Sequence, residues 1–305
     1  MPDQVEQPPA IEASYKARAV EGFLDLHFYR KLGYRLALIF SRLGMSPAQV
    51  TCCGAALGIA AGHLYYYRDL RLNLIGMGLH VLSNAFDNAD GQLARLTSKG
   101  SRTGRALDGL ADHLVFLSIY VHLCLRHTAA GGSPLVWLLA LAAGLSHSVQ
   151  SAVADYLRNG WLYFAEATAR AELDSTQALQ ADFERLTWRR APRRKFLLRL
   201  YINYTREQEW LVPCLTRLRE AAARRSDSAL SKAYRQAGAR LIRRVNLLAT
   251  NPRMLVLFAL LFIGQPVWYF VVELTVFNLL LALFLHRQER ICRELLAEFD
   301  TQRRV

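Results

Sequence analysis

Apolar residues in this chain are gathered into long uninterrupted stretches. Residues 134–154 contain no Asp, Glu, Lys or Arg, and neither do residues 255–272. Stretches of this length approach the roughly 20 apolar residues that a helix needs to cross a bilayer. The pattern therefore predicts an integral membrane protein whose spanning segments are helices.

The same pattern, followed along the whole chain, predicts six membrane-spanning helices. Their approximate limits are 47–67, 71–97, 104–126, 134–158, 245–264 and 266–286. Only Gly-Gln-Pro separates the last two, so we expect a tight helical hairpin there, and Pro252 lies inside the fifth span. The second and third spans carry Asp residues. A charge inside a span is costly and usually marks a functional site.

Four further segments complete the predicted all-α architecture. Residues 1–14 are polar and Pro-rich and are expected to be a disordered lead. Residues 15–46 alternate basic and apolar positions at helical spacing, which favours an interfacial amphipathic helix over an ordinary soluble one. Residues 159–244 should form a helical insertion, because they are rich in Arg, Glu, Ala and Leu. Residues 287–305 are predicted to be an amphipathic helical tail.

Positive charge decides the predicted orientation. The net charge is +13, and residues 159–244 hold 18 Lys and Arg against 9 Asp and Glu. Such a balance suits nucleic acid or anionic lipid, and in a chain with spanning segments the lipid interpretation comes first. The positive-inside rule then places the N-terminus, the insertion and the tail in the cytoplasm. Only Arg68 and Arg71, in the opposite loop, oppose this orientation.

Four aspartates lie within the second and third predicted spans. Asp87 and Asp90 are three residues apart, and Asp108 and Asp112 are four apart. On helices, both separations place the two side chains on one face. If the two faces meet, four carboxylates would repel each other unless cations were bound. Oxygen ligands without His or Cys suit Mg²⁺, Mn²⁺ or Ca²⁺ better than zinc.

Small residues and one cation accompany these aspartates. Gly91 and Ala94 share the helix face of the first pair, and Gly104 precedes the second pair by one turn. Small residues allow a helix or a ligand to approach the backbone closely. Arg95 adds a guanidinium suited to phosphate. Two cations at such a site could hold a pyrophosphate between them.

The stretch from Asp87 to Asp112 resembles the signature of the CDP-alcohol phosphotransferase (CDP-alcohol phosphatidyltransferase) family. The signature has Asp, Gly, Ala and Arg at fixed spacings, and this chain matches it at all eight fixed positions. They are Asp87, Asp90, Gly91, Ala94, Arg95, Gly104, Asp108 and Asp112. The six-span layout with a leading interfacial helix also resembles the family. The 159–244 insertion is longer than the family leads us to expect.

The resemblance implies a metal-dependent phosphotransferase of phospholipid biosynthesis. A CDP-linked donor, usually CDP-diacylglycerol, would be attacked by a polar alcohol at the phosphate away from cytidine, and CMP would leave. Two divalent cations, Mg²⁺ or Mn²⁺, would be held by all four aspartates, with Asp112 also acting as the catalytic base. The residues that would contact the donor are Gly91, Ala94, Arg95, Ser101 and Gly104.

The acceptor is the least constrained part of this expectation. Arg158 and Arg253 resemble basic residues that bind the acceptor's phosphate in the branch of the family that uses inositol phosphate, so we favour inositol phosphate or inositol. Glycerol phosphate, serine, ethanolamine and choline stay open. The family often has Asn or Asp after the proline that precedes the first span, and Ala48 departs from that pattern.

The expected partners follow from the same resemblance. They are the CDP-linked donor, a polar alcohol, membrane lipids and a second copy of the chain in a homodimer, with no nucleic acid. We expect the active site to face the cytoplasm, in a bacterial inner membrane. The alternative is a non-enzymatic membrane protein, such as a divalent-cation transporter that uses the intramembrane carboxylates. A nucleic-acid binder using the basic insertion is a third possibility.

Overall fold

The computed structural model describes residues 20–165, 173–225 and 228–301. Within these ranges the chain forms helices and no strand. The helices α1 to α12 are, in chain order, Arg30–Arg42, Pro47–Leu64, Leu70–Leu96, Arg102–Ala129, Val136–Ala165, Thr176–Arg185, Pro192–Leu211, Pro213–Arg225, Ser228–Val245, Thr250–Phe262, Trp268–Val272 and Asn278–Thr301. The predicted disordered lead at 1–14 lies outside the described residues.

Four helical stretches in the described part of the chain are long and apolar enough to cross a membrane. They are Arg102–Ala129, Val136–Ala165, Ala229–Phe262 and Trp268–Phe299. The all-α prediction is confirmed, and these stretches indicate an integral membrane protein. The first two predicted spans fall on α2 and α3, which are helical but are not among the four. The total of six spans therefore stays a prediction.

Several helix ends differ from the limits expected from the sequence. Helix α5 continues to Ala165, beyond the expected end at 158, and α12 runs without interruption past residue 287. Pro252 is the third residue of α10. At that position proline removes no hydrogen bond from the helix, because the first backbone N–H groups have no partner within it.

Helix α2 begins with a complete capping box. Ser46 accepts a hydrogen bond from the backbone N–H of Gln49, and the side chain of Gln49 accepts one from the backbone N–H of Ser46 at 2.8 Å. Pro47 occupies the first helical position, where its fixed φ suits a helix. Gln49, the polar residue next to Ala48, therefore stabilises the start of the helix.

Glycines bring α2 close to its two neighbours. Gly54, Gly58 and Gly62 recur every four residues and so lie on one face of α2. A Cβ atom at Gly58 would stand 2.6 Å from a methyl carbon of Val115 on α4, and one at Gly54 would stand 3.0 Å from Cβ of Phe86 on α3. Helices α2, α3 and α4 therefore pack at the short distance that only glycine permits.

The helix before the first span packs along α3. A Cβ atom at Gly33 would stand 2.9 Å from the side-chain nitrogen of Gln92. That nitrogen donates a hydrogen bond to the carbonyl of Arg30 at 3.1 Å. The preceding π-helical turn, Asp25–Tyr29, is joined to α10, because Asp25 accepts a hydrogen bond from Asn251 at 2.8 Å.

The insertion shares one hydrophobic core with α5 and α12. Leu157 and Trp161 of α5 are buried against Leu215 of α8, Tyr234 of α9 and Phe284 of α12. Burial of this much apolar surface stabilises the contact between the insertion and the spanning helices. The insertion, which hydropathy alone would predict to be a separate soluble domain, therefore packs into the same core as the spanning helices.

Candidate active site

Three aspartates from two helices meet in the structure. Helix α3 carries Asp87 and Asp90, and α4 carries Asp108. One carboxylate oxygen from each residue lies within 4.8 Å of the other two. We call these three residues the aspartate cluster. The distance is short enough for one cation to contact all three carboxylates.

A third helix contributes a hydroxyl group to the aspartate cluster. Asp90 is 5 % exposed, and one of its carboxylate oxygens accepts a hydrogen bond from the hydroxyl of Thr51 on α2. Thr51 also donates to the carbonyl of Pro47, one turn earlier. No sequence pattern marks Thr51, because its contact with Asp90 depends on the close packing of α2 on α3.

The donor set of the cluster fits a hard divalent cation. It offers carboxylate oxygens and no nitrogen or sulfur ligand. One oxygen of Asp108 is shielded from solvent and has no hydrogen-bond partner among the described residues. A buried carboxylate oxygen without a donor is costly, so the arrangement favours a cation as its partner. These are the ligands that Mg²⁺ and Mn²⁺ prefer.

Asp112 stands one turn beyond Asp108 on α4 and is not a member of the aspartate cluster. It lies within electrostatic range of Asp87 and Asp90 and also of Asp155 on α5. Asp155 did not feature in the sequence interpretation. Asp112 therefore faces carboxylates from α3 and from α5.

Gly91 and Arg95 lie together at the end of α3. A Cβ atom at Gly91 would stand 3.7 Å from a guanidinium nitrogen of Arg95, so the arginine side chain folds back along the helix. Arg95 also interacts electrostatically with Asp90. The carbonyl of Ala94 accepts the backbone N–H of Lys99 at 2.9 Å and so closes the helix end.

Ser101 and Gly104 begin α4. Ser101 is the N-cap residue, and its hydroxyl accepts a hydrogen bond from the backbone N–H of Gly104 at 3.0 Å. A Cβ atom at Gly104 would stand only 3.1 Å from that hydroxyl oxygen. The two predicted donor-binding residues thus hold the start of the helix that carries Asp108 and Asp112.

Arg158 forms an ion pair with Asp155, one turn earlier on α5. The other oxygen of Asp155 accepts a hydrogen bond from the hydroxyl of Tyr204 on α7 at 2.9 Å. The Arg158 side chain keeps 26 % of its surface exposed. The structure thus brings this arginine to a carboxylate that in turn lies near Asp112.

Arg253 is enclosed in a different network. Its side chain is 1 % exposed and forms an ion pair with Glu273, which is fully buried. Its guanidinium also donates to Gln150 at 2.8 Å and to the carbonyl of Leu248 at 3.1 Å. None of these partners belongs to the aspartate cluster. Glu273, an acid inside an apolar span, was the sequence signal that could have identified this pairing.

The insertion reaches the first turn of α4. Arg102 and Arg105 both form ion pairs with Asp174, and Arg105 donates a hydrogen bond to the hydroxyl of Tyr201 at 3.2 Å. These contacts join the insertion to the helix that bears Asp108. Sequence reasoning missed them, because nothing in the chain indicates which carboxylate these arginines meet.

Comparison with known proteins agrees with the geometry. No curated protein matches the chain. The family model described as CDP-alcohol phosphatidyltransferase matches residues 45–160, which contain the aspartate cluster, Asp112 and the whole of α2, α3 and α4. Over residues 45–160 the chain is therefore similar to the CDP-alcohol phosphatidyltransferase family, which is a family of phosphotransferase enzymes.

Proposed function

We propose that this protein transfers a phosphatidyl group from CDP-diacylglycerol to the hydroxyl of a polar alcohol and releases CMP. The family supports phosphatidyl transfer from a CDP-alcohol. The observation that carries the proposal is the meeting of Asp87, Asp90 and Asp108 within 4.8 Å. Phosphoryl-type transfer depends mainly on positioning and charge neutralisation, which such a cluster can provide.

Asp87, Asp90 and Asp108, together with Asp112, are the residues that would hold two divalent cations, Mg²⁺ or Mn²⁺. Bound there, the cations would neutralise the diphosphate and stabilise the charge on departing CMP. Thr51 fixes the orientation of the Asp90 carboxylate through its hydrogen bond. A ligand held by such an outer hydrogen bond binds metal better than a free one.

Asp112 is the proposed catalytic base. In the reaction the acceptor oxygen forms a bond to the donor phosphorus, the bond from that phosphorus to the CMP oxygen breaks, and the hydroxyl proton passes to an Asp112 carboxylate oxygen. The residue stands one turn from Asp108 and near both aspartates of α3. A carboxylate in this position can accept a proton if the hydroxyl comes within hydrogen-bond reach.

Gly91, Ala94 and Arg95 on α3 are the proposed contacts for the donor's nucleotide and phosphates. Gly91 leaves room beside the helix backbone, and the guanidinium of Arg95 lies over that glycine. Ser101 and Gly104 are proposed to act at the same site from the start of α4. Their mutual hydrogen bond supports a fixed position for this turn.

Inositol phosphate or inositol is the proposed acceptor, with Arg158 as the contact for its phosphate. Arg158 keeps part of its surface exposed, whereas Arg253 is 1 % exposed and surrounded by its own partners. The exposure supports Arg158 as the better placed of the two. A guanidinium suits a phosphate because it donates two parallel hydrogen bonds.

The proposed setting is a homodimer in a bacterial inner membrane, with the active site facing the cytoplasm. In that topology α2 and α3 are two further spans. The ion pair between Asp174 of the insertion and Arg102 of α4 supports a topology in which the insertion and the loop before α4 lie on the same side of the membrane. The basic excess of the insertion supports the cytoplasmic side.

The test is a reconstituted assay. Purified full-length protein in vesicles is given CDP-diacylglycerol, Mn²⁺ and a panel of alcohols, and the lipid products and CMP are identified by mass spectrometry. We expect CMP and one new phospholipid. Formation of no lipid product with any alcohol, while Mn²⁺ crosses the vesicle membrane, would instead support the cation transporter.

The same assay tests the acceptor contact. Arg158→Gln should raise the KM for inositol phosphate about tenfold and leave the KM for CDP-diacylglycerol unchanged, because the acceptor's phosphate, and not the donor, loses a charged hydrogen bond. Arg71→Gln, in the first turn of α3 and so at the opposite end of that helix from Asp87 and Asp90, is the matched control. An equal loss with inositol and inositol phosphate would contradict a phosphate contact.

A further inference from the structure

One carboxylate of the insertion binds two arginines of the catalytic helix. Asp174 accepts from Arg102 at 2.8 Å through one oxygen and from Arg105 at 2.5 Å through the other. The side chain of Asp174 is 2 % exposed. Buried carboxylates that engage both oxygens with guanidinium groups are held in a single orientation.

Asp174 is itself fixed by other residues of the insertion. The hydroxyl of Tyr201 donates to its carboxylate at 3.1 Å, and Arg219 donates to its backbone carbonyl at 3.3 Å. Burial raises the pKa of Tyr201, so the phenol keeps the proton that it donates. Arg219 is in turn paired with Glu209 at 3.1 Å. The network therefore anchors Asp174 to α7 and α8.

Arg105 lies on the helix face that carries Asp108 and Asp112. Arg105 precedes Asp108 by three residues and Asp112 by seven, and residues at these separations share one face of a helix. A helix behaves as a rigid rod over two turns, so a shift at Arg105 moves Asp108 as well. Without Asp174, the neighbouring guanidinium groups of Arg102 and Arg105 would repel each other at this turn.

We propose that Asp174 is a positioning residue: by holding Arg102 and Arg105, it sets where Asp108 and Asp112 of α4 stand relative to Asp87 and Asp90 of α3. The inference rests on the proposed function only in taking the aspartates as metal ligands. It gives the insertion a role in the active site, because the geometry of the aspartate cluster then depends on a residue outside the matched 45–160 region.

The experiment compares Asp174→Asn with the full-length wild-type protein. Mn²⁺ binding is measured by electron paramagnetic resonance without any CDP compound, and CMP release is measured over a Mn²⁺ titration. We expect Mn²⁺ affinity to fall about tenfold, the size of effect seen when an outer-shell partner of a ligand is lost. Hydrogen exchange at residues 102–108 should become faster while exchange in α5 stays unchanged.

Two further variants separate positioning from general damage. Asp182→Asn removes a more exposed partner that also contacts Arg102, and it should leave Mn²⁺ affinity within about twofold of wild type. Asp174→Glu keeps both oxygens and should recover at least half of the loss in Mn²⁺ affinity. If Asp174→Asn fails to fold, Tyr201→Phe replaces it, because it removes one hydrogen bond to Asp174 and keeps the ring.

The outcomes distinguish this inference from the proposed function. Wild-type Mn²⁺ affinity and unchanged exchange at residues 102–108 in both Asp174→Asn and Tyr201→Phe would overturn the positioning role. If Asp174→Asn loses Mn²⁺ affinity while the wild-type protein releases no CMP from any CDP compound, the positioning role is supported and the proposed function is contradicted.

Discussion

Two groups of buried charges in this protein are constructed in opposite ways. In the first, Arg253 and Glu273 neutralise each other, and Gln150 and the carbonyl of Leu248 accept further hydrogen bonds from the guanidinium. In the second, the aspartate cluster brings three carboxylates within 4.8 Å, and one oxygen of Asp108 has no donor among the described residues. The charges of the first group balance within the chain, and the second group is the proposed cation site.

The difference separates a structural site from a functional one. Both groups lie on helices that sequence analysis assigned to the membrane, and both carry intramembrane charges that by themselves suggest function. Only the partners distinguish them. A charge whose counter-charge lies within the chain stabilises the fold, whereas crowded like charges suggest a binding site.

The largest expected effect is on catalysis. Asp108→Asn should lower CMP release on the order of a thousandfold, because it removes a metal ligand from the site where charge develops. CMP is quantified by chromatography at saturating Mn²⁺. Asp69→Asn is the matched control: this residue caps the far end of α3, and asparagine caps as well as aspartate. Normal turnover in Asp108→Asn would show that the cluster is not the active site.

The next effect is on stability. Glu273→Gln leaves the buried guanidinium of Arg253 without a counter-charge and should destabilise the protein by about 3–5 kcal/mol. Equilibrium unfolding in mixed micelles measures this. Glu294→Gln, which breaks the exposed pair with Arg290, should leave stability nearly unchanged. A Glu273→Gln protein as stable as wild type would contradict the structural assignment of the network.

A smaller effect is expected at the edge of the aspartate cluster. Thr51→Val keeps the shape of the side chain and removes the hydroxyl that donates to Asp90. Mn²⁺ affinity should fall about tenfold, since the carboxylate loses the bond that orients it. Thr51→Ser keeps the hydroxyl and should bind Mn²⁺ as wild type does. Equal losses in both variants would indicate a packing effect instead of the hydrogen bond.

The smallest effect reverses the usual sign of a substitution in a catalytic site. With metal removed by a chelator, Asp108→Asn should be more stable than wild type by about 1 kcal/mol, because one of three crowded carboxylates loses its charge. Thermal unfolding in the chelator measures the difference, and added Mn²⁺ should stabilise only the wild type. A less stable Asp108→Asn protein would mean that the carboxylates do not repel each other.

The spacing of the aspartates was readable from the sequence because helical periodicity fixes which side chains share a face. Three of the four predicted ligands, Asp87 and Asp90 on α3 and Asp108 on α4, meet in the structure, and Asp112 lies outside their cluster. The all-α class could also be predicted, because long hydrophobic stretches are visible in the local composition of the chain. Helix ends were less accurate: α5 runs to Ala165, since the core it shares with the insertion continues past the apolar stretch.

The contacts that the sequence could not indicate are all made between distant segments. Thr51 and Asp174 are ordinary residues in their local context, and their partners lie 39 and 72 residues away. Arg253 shows the same limit. Its position inside a span marked it correctly as unusual, but only packing shows that it faces Glu273.

The most direct test of the proposed cation site is anomalous diffraction from crystals of the full-length protein grown with Mn²⁺. We expect an anomalous peak bounded by the carboxylates of Asp87, Asp90 and Asp108, and its loss in Asp108→Asn crystals. Mn²⁺ bound elsewhere in the protein, with these three carboxylates bare, would contradict it.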